Sequence, residues 1–294
     1  MGRFKTVSAG KPEINGHVVG IVLKELVRRA IVVARRQITT FEVGIKEGYG
    51  GNMDDIYTTA DSLAQASYVK SLQECFPGIG VVAEENLLAI SADSKDYFTI
   101  DPLDGTRAFV RRQSHGIGSM IAMIIRGEVV SAYVGDVVSQ EIYGYRPGSE
   151  TVWRITDLEI YEKLPANPQA SDISQLNILL REREKQYQPV SRQAIDHFKD
   201  VLIDGGSIGT WAARLWKREV GALLLAPAWE TPWDSSPVIG ISRKLGYIFL
   251  RPKLDGWETF SPIISDKKYY KNHDTLVIHS NNLHSLAGLI PITH

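Results

Sequence analysis

The sequence contains a single cysteine among its 294 residues, so no disulfide bond can form within the chain. A shortage of cysteine is typical of proteins from reducing compartments. Cys75 stands in a helix-like stretch directly before Phe76-Pro77-Gly78. We expect it to be a buried structural thiol rather than a nucleophile.

Long hydrophobic runs are also missing from the sequence. The stretch from Ala222 to Ala228 is among the longest, and it is far shorter than the ~20 residues that a membrane-spanning helix needs. The N-terminal segment has no apolar run of the kind that a secretory signal requires. Gly2 and Thr6 match a loose myristoylation pattern, but so short a pattern occurs by chance. We therefore expect a cytoplasmic protein that does not bind membranes.

The charges of the chain nearly cancel. There are 33 lysines and arginines against 34 aspartates and glutamates, which gives a formal net charge of -1. Such a balance creates no overall field that would attract nucleic acid or an anionic membrane. The seven histidines are scattered singly, and no cysteine–histidine spacing suits zinc. We therefore expect neither nucleic acid nor a membrane as a partner.

The hydrophobic pattern predicts an α/β fold. Apolar residues at helical spacing predict an amphipathic helix from His17 to Ile38 and another from about Ala60 to Cys75. Short β-like runs follow, and strands and helices alternate after residue 150. The length suits one large domain or two fused halves. We place the seam near residue 150, between an N-terminal α+β half (1–150) and a C-terminal α/β half (151–294).

Carboxylates stand at the ends of separate predicted elements. The members of this set are Glu84 and Glu85 after Gly80–Ala83, Asp101 and Asp104 after Tyr97–Ile100, and Asp234 just before a helix. If these elements are neighbours, their acidic groups converge and repel one another unless a cation lies between them. Hard oxygen ligands at this density suit magnesium.

The segment Asp101–Thr106 is predicted to form a turn. Its turn lets Asp101, the Leu103 carbonyl and Asp104 face one point, and Gly105 permits a close approach of the backbone. We expect Gly105 and Thr106 to open a helix whose free N–H groups bind phosphate. The hydroxyl of Thr106 would orient a water molecule.

Four segments, taken in order, resemble the inositol monophosphatase superfamily of metal-dependent, lithium-sensitive phosphatases. Its pattern is Asp-x-x-Thr-x-x-Asp, Glu-Glu, Asp-Pro-(Ile/Leu)-Asp-Gly-Thr and Trp-Asp. The matching segments are Asp55–Asp61, Glu84-Glu85, Asp101–Thr106 and Trp233-Asp234. The resemblance implies a layered αβαβα sandwich, of the inositol monophosphatase and fructose-1,6-bisphosphatase type, and a homodimer. It also implies magnesium-dependent hydrolysis of a small phosphomonoester by metal-activated water.

The resemblance further implies two magnesium ions with shared ligands, and a third ion held more weakly through waters. The implied ligands are Glu84, Asp101 and the Leu103 carbonyl for the first, Asp101, Asp104 and Asp234 for the second, and Asp61 and Glu84 for the third.

The same resemblance assigns catalytic and substrate-binding residues. Thr106, paired with Asp55, would activate the attacking water together with Glu84. Lys46 resembles a basic residue found near such sites. The substrate would contact the Gly105 and Thr106 amides, Asp104, Asp234 and Trp211.

The wall of the substrate site departs from the family pattern. Pro227 stands where inositol-specific members carry a glutamate, and Trp211 stands where a small alanine is common. Trp211 is either a core residue or a pocket wall that narrows the site or stacks on the substrate. These changes leave the metal ligands intact but put inositol phosphate in doubt. A histidinol phosphatase, a 3'(2'),5'-bisphosphate nucleotidase and a non-catalytic partner-binding protein on the same fold remain alternatives.

Overall fold

A computed structural model describes residues 15–85, 95–254, 256–287 and 291–293. No helix in this part of the chain combines the length and the apolar character that crossing a bilayer requires. The helices are α1 (Gly16–Gln37), α2 (Thr59–Cys75), α3 (Thr106–Val110), α4 (Pro189–Ile195), α5 (Ile208–Trp216), α6 (Pro232–Lys244) and α7 (Leu283–Ala287).

The first half of the chain forms a hairpin and a large sheet. The hairpin pairs β1 (Val43–Lys46) with β2 (Asp55–Thr58). Sheet 1 has seven strands among the described residues; β3 and β4 are parallel and the other pairs are antiparallel. In spatial order the strands are β3 (Gly80–Ala83), β4 (Asp96–Asp104), β5 (Gly118–Ile125), β6 (Glu128–Asp136), β7 (Ile142–Tyr145), β8 (Trp153–Ile155) and β9 (Tyr161–Lys163).

The second half forms sheet 2, a mixed sheet that also has seven strands within the described ranges. Its spatial order is β11 (Val201–Ile203), β10 (Ile178–Leu180), β12 (Ala222–Leu225), β17 (Thr275–His279), β14 (Tyr247–Lys253), β15 (Gly256–Phe260) and β18 (Ile292–Thr293). A small antiparallel ribbon beside it pairs β13 (Ala228–Glu230) with β16 (Tyr269–Lys271).

The helices and the two large sheets stack in layers. Helices α1 and α2 pack on one face of sheet 1, α5 and α6 lie between the two sheets, and α4 packs on sheet 2. Three buried apolar clusters fill the spaces between these layers. The predicted αβαβα sandwich is therefore confirmed.

Both helices of the first layer begin with side-chain caps. The Asn15 side chain accepts hydrogen bonds from the amides of His17 and Val18 at the start of α1. Thr58 and Asp61 form a capping box at the start of α2. The Asp61 side chain accepts a hydrogen bond from the Thr58 amide, and the Thr58 side chain accepts one from the Ala60 amide. The cap fixes the position of Asp61 relative to the first turn of α2.

The prediction for Cys75 is wrong, because its side chain is exposed. Cys75 is the last residue of α2, and the buried row of that helix already ends at Leu72. The residues just before it, Gln73 and Glu74, are also exposed.

Strand β4 does not end before the acidic motif, as the sequence suggested, but continues through it to Asp104. Asp101 pairs with Met120, whereas Asp104, three residues later, pairs with Gly118. One extra residue on β4 therefore forms a bulge. Successive strand residues point to opposite faces, so the bulge returns Asp104 to the same face as Asp101.

The two halves of the chain share a core. Sheet 1 continues past residue 150 into β8 and β9. The central apolar cluster combines Met120 and Val134 with Trp211 and Val277 from the second half. The division at residue 150 stays a prediction, and it falls between two strands of one sheet.

Candidate functional site

Three carboxylates from two elements meet between the layers. Asp101 and Asp104 come from β4, and Asp234 comes from the first turn of α6. One oxygen of each lies within 4.8 Å of the others. Asp101 is 2% exposed and Asp104 is 6% exposed. We call these three residues the carboxylate cluster.

Neighbouring groups hold each carboxylate in place. The Asp104 Oδ2 atom accepts hydrogen bonds from the Ser207 hydroxyl at 2.5 Å and from the Gly209 amide at 2.9 Å. Asp234 Oδ2 accepts a hydrogen bond from the Thr231 hydroxyl at 2.7 Å. The start of α5 thus orients one member of the cluster, and the residue before α6 orients another.

The cluster concentrates negative charge in a buried space. Burial, followed by repulsion from Asp104 and Glu84, raises the pKa of Asp234 to about 7. Burial also raises the pKa of Asp101, to which Glu84, Asp104 and Asp234 add repulsion. The pKa of Asp104 is raised for the same principal reason. A divalent cation would offset this repulsion, and an all-carboxylate donor set suits magnesium.

Glu84 lies beside the cluster and contacts a cation of the chain. Lys46 Nζ is 2.9 Å from Glu84 Oε1, 2.5 Å from Glu85 Oε1 and 3.8 Å from Asp55 Oδ2. The Tyr49 hydroxyl donates to Glu84 Oε1 at 3.2 Å. Burial acts to lower the pKa of Lys46, but the two glutamates raise it above its ordinary value. The resemblance of Lys46 to a basic residue near the site therefore has a geometric basis.

The expected pairing of Thr106 with Asp55 is wrong, because the partner is Asp61. The Thr106 hydroxyl lies 3.2 Å from Asp61 Oδ1 and 3.1 Å from the Leu103 carbonyl oxygen. Asp55 instead accepts a hydrogen bond from the amide of Ile56 at the start of β2. The capping box of α2 brings the second aspartate of the motif, rather than the first, to the hydroxyl.

Asp61 is buried, and both of its carboxylate oxygens accept hydrogen bonds. Its Oδ2 atom accepts hydrogen bonds from the amide and the hydroxyl of Thr58, at 2.7 Å and 2.6 Å. Burial raises the pKa of Asp61 to about 6 against the lowering effect of these bonds.

Gly105 occupies a position that no other residue fits. Its φ is +85°, and an added Cβ would lie 2.2 Å from the carbonyl oxygen of Gly116 and 2.7 Å from the amide nitrogen of Ser207. Gly105 is also the N-cap of α3. The backbone of three segments therefore packs closely beside the carboxylate cluster.

A cavity of about 560 Å³ opens from the cluster, with Asp234 on its wall. We call it the substrate cavity. Trp211 is only 2% exposed and also lines the cavity, so it is a core residue that forms part of the wall. Its contact with the substrate stays a prediction. Pro227 lines the cavity as well. Two further wall residues, Tyr49 and Arg181, belong to none of the sequence motifs that predicted the site.

The chain is similar to several known proteins. The Nus factor SuhB of Salmonella typhimurium is 31% identical over 90 residues, which cover 31% of this chain and 33% of that protein. The chain thus spans about a third of the length of the first curated relatives that it matches. Human 3'(2'),5'-bisphosphate nucleotidase 1 is 22% identical over 245 residues, covering 71% of this chain and 75% of that protein.

A solved structure described as an IMPase/NADP phosphatase complexed with Mg²⁺ and phosphate shares the fold, with a TM-score of 0.69. It is 17% identical, and the match covers 93% of this chain and 95% of that one. Residues 17–286 match the inositol monophosphatase family, which is most of the chain. The chain therefore belongs to the inositol monophosphatase family.

Proposed function

We propose that the protein is an inositol-monophosphatase-like phosphatase that hydrolyses a small phosphomonoester in a magnesium-dependent reaction. The observation that carries this proposal is the carboxylate cluster, in which two buried acids and one partly buried acid approach within 4.8 Å. Burying several carboxylates together without a cation is costly. Membership of the family supports the same chemistry.

The residues that would hold magnesium are the cluster itself, the Leu103 carbonyl and Glu84. We propose two ions, with a third held more weakly near Asp61 and Glu84. Magnesium bound there supplies a Lewis acid that lowers the pKa of water and stabilises charge on phosphate oxygens. The donor set fits, since carboxylate and carbonyl oxygens are the ligands that magnesium prefers.

Thr106 and Asp61 would position the attacking water. The Thr106 hydroxyl carries a single hydrogen, and either Asp61 Oδ1 or the Leu103 carbonyl can accept it. The lone pairs of the Thr106 oxygen then stay available to accept a hydrogen bond from water. With a pKa of about 6, Asp61 is ionised at neutral pH and can act as the acceptor.

The amides of Gly105 and Thr106 would bind the phosphate group. The first N–H groups of a helix have no partner within the helix and favour anions. Asp55 was expected to act through Thr106, so its catalytic role loses that support. Assembly as a homodimer and a cytoplasmic location stay predictions from the sequence.

Two alternatives rest on specific observations. A 3'(2'),5'-bisphosphate nucleotidase activity is favoured by the human relative of that name, whose match covers 71% of this chain. A partner-binding role is favoured by the relatives named Nus factor SuhB, although their match covers about a third of each protein. The histidinol phosphatase alternative is supported only by the residues around the sequence motifs.

The experiment that tests the proposal measures phosphate release from a panel of phosphomonoesters, with magnesium and with a chelator. The panel contains inositol 1-phosphate, histidinol phosphate, adenosine 3',5'-bisphosphate and fructose 1,6-bisphosphate. We expect turnover of at least one ester that stops when magnesium is removed. Turnover that persists in the chelator would contradict the proposal, and folded protein that neither binds magnesium nor turns over any ester would favour the partner-binding role.

A further inference from the structure

The substrate cavity is far larger than a phosphate group requires. At about 560 Å³ it falls within the roughly 300–1,000 Å³ of sites that bind drug-sized molecules. Asp234 belongs both to its wall and to the carboxylate cluster. A phosphate held at the cluster therefore places the rest of the substrate in this cavity.

The wall of the cavity is mainly apolar and rich in rings. Strands β12, β13, β14, β15 and β16 all contribute residues to it, as do α5 and α6. The aromatic rings on the wall are those of Tyr49, Trp211, Trp229, Phe249, Phe260 and Tyr269. A polyol offers hydroxyl groups around its whole ring, and such a wall would leave many of them without partners.

The charged side chains on the wall largely neutralise one another. Lys271, which is 8% exposed, lies 2.7 Å from Glu230 Oε1. The Arg251 Nε atom lies 2.8 Å from Glu258 Oε2. Paired charges of this kind do not demand a charged group on the body of the ligand.

Arg181, another charged residue on the wall, differs from these paired groups. Its buried Nη1 atom has no hydrogen-bond partner among the described residues. A polar oxygen of the substrate would satisfy this group.

We propose that the substrate cavity binds a flat aromatic body of about nucleoside size, so that the substrate is a nucleoside-type phosphomonoester rather than a polyol phosphate. This inference rests on the proposed phosphatase function and names the substrate class of the same site. Aromatic faces on the wall stack on a flat ring, whatever the order of its polar atoms. Trp229, at 41% exposure on β13, presents a ring whose removal leaves the core intact.

The test compares kcat/KM for adenosine 2'-monophosphate, inositol 1-phosphate and glycerol 2-phosphate. All three are phosphates of secondary alcohols, so their leaving groups are chemically alike and only the bodies differ. We expect the adenosine ester to be preferred at least tenfold. We also expect Trp229→Ala to lower kcat/KM for the adenosine ester about five- to a hundredfold relative to the glycerol ester, which is the range for one base-stacking contact.

Two further variants separate stacking from general damage. Trp229→Phe keeps an aromatic ring and should restore most of the preference. Tyr161→Ala removes a partly exposed ring from β9, in the other large sheet, and should leave kcat/KM unchanged for both the adenosine ester and the glycerol ester. If inositol 1-phosphate is preferred, or if Trp229→Ala lowers all three values equally, the inference is overturned while the phosphatase function stands.

A different result would separate the two proposals. If magnesium-loaded protein hydrolyses none of the three esters, the phosphatase proposal is contradicted for this substrate class. Calorimetric titration with adenosine then decides the inference. Binding that Trp229→Ala weakens would support an aromatic-body site, and no binding of adenosine would overturn it.

Discussion

Asp61 connects the local structure of a helix with the chemistry of the site. One of its oxygens closes the capping box of α2, and the other accepts a hydrogen bond from Thr106. The cap holds Asp61 through Oδ2 and leaves Oδ1 available for Thr106. The orientation of the Thr106 hydroxyl is thus set by the first turn of α2, a helix that precedes the acidic motif in the chain.

A change at Thr106 tests this arrangement. Thr106→Val keeps the shape of the side chain but removes the hydroxyl, so we expect kcat to fall about 10²- to 10⁴-fold, the range for a lost proton-handling group. Thr106→Ser keeps the hydroxyl and should stay within about tenfold of the unchanged protein. Phosphate release at saturating magnesium measures both variants. Equal loss in the two would contradict a role for the hydroxyl, and melting temperatures show whether either variant is misfolded.

The sequence predicted some site residues and not others, for a physical reason. Asp101 and Asp104 lie together in one motif, and Asp234 follows a tryptophan in a recognisable pair. Tyr49 and Arg181 reach the site only through the packing of distant segments, which no local pattern records. The choice between Asp55 and Asp61 as the partner of Thr106 depends on the cap of α2, and the motif spacing alone does not reveal it.

At the scale of elements, the bulge in β4 and the turn at Gly105 together shape the cluster. The bulge puts Asp101 and Asp104 on one face of the strand. Gly105 then lets the chain pass directly against Gly116 and Ser207. Ser207 binds Asp104 through its hydroxyl, so the close packing at Gly105 and the position of Asp104 are linked.

Two glycines provide a matched comparison for this turn. Gly105 and Gly127 have φ values of +85° and +84°, but an added Cβ meets backbone atoms only at Gly105 and open space at Gly127. We expect Gly127→Ala to cost about 1–2 kcal/mol of folding free energy from backbone strain alone. Gly105→Ala should cost more and should also lower phosphatase activity, because the clash displaces Ser207. Denaturant unfolding and phosphate release measure the two effects, and equal behaviour of both variants would contradict the packing argument.

Elements with a long periodic pattern could be predicted, and so could the short apolar run of β3 (Gly80–Ala83), but strands that form only by pairing with a distant segment could not. The predicted helix His17–Ile38 differs from α1 by one residue at each end. Strands β13 and β16 have three residues each, too few for a pattern, and they form because two distant segments pair. That ribbon carries Trp229, so sequence patterns could not predict this part of the cavity wall.

For the whole molecule, the layers bring together acids from both halves of the chain. Helix α6 lies between the two sheets and carries Asp234 to the face of β4. The family resemblance predicted the layers correctly, because it rests on motifs spread over most of the chain. The residues of the substrate wall vary on the same fold, so the fold does not name the substrate.

The pH dependence of stability follows from the raised pKa values. Burial raises the pKa of Asp61 to about 6 and that of Asp234 to about 7, above the roughly 3.9 of an unfolded aspartate. Between about pH 4 and pH 7, the metal-free folded state therefore binds more protons than the unfolded state. Its stability should be greatest below about pH 4 as far as these groups are concerned, and their contribution should be lost as the pH rises to about 7.

Magnesium should offset this loss. A ligand that binds only the folded state adds about 2.7 kcal/mol at a hundredfold excess over its Kd, which corresponds to a rise in Tm of roughly 4–5 °C for a chain of 294 residues. We expect a clear rise at pH 8 and a much smaller one at pH 5, where protons compete for the cluster. Thermal unfolding with magnesium or chelator at both pH values measures it. An equal rise at both would contradict the account.

The most direct test of the central claim compares magnesium-dependent phosphate release by the unchanged protein, Asp104→Asn and Asp157→Asn. Asp104 belongs to the carboxylate cluster, whereas Asp157 is an exposed aspartate in the turn between β8 and β9. We predict that Asp104→Asn loses at least about 10³-fold in activity at any magnesium concentration, since a ligand that must bear charge is removed, while Asp157→Asn stays active. Full activity in folded Asp104→Asn would contradict the assignment of the cluster as the magnesium-binding catalytic centre.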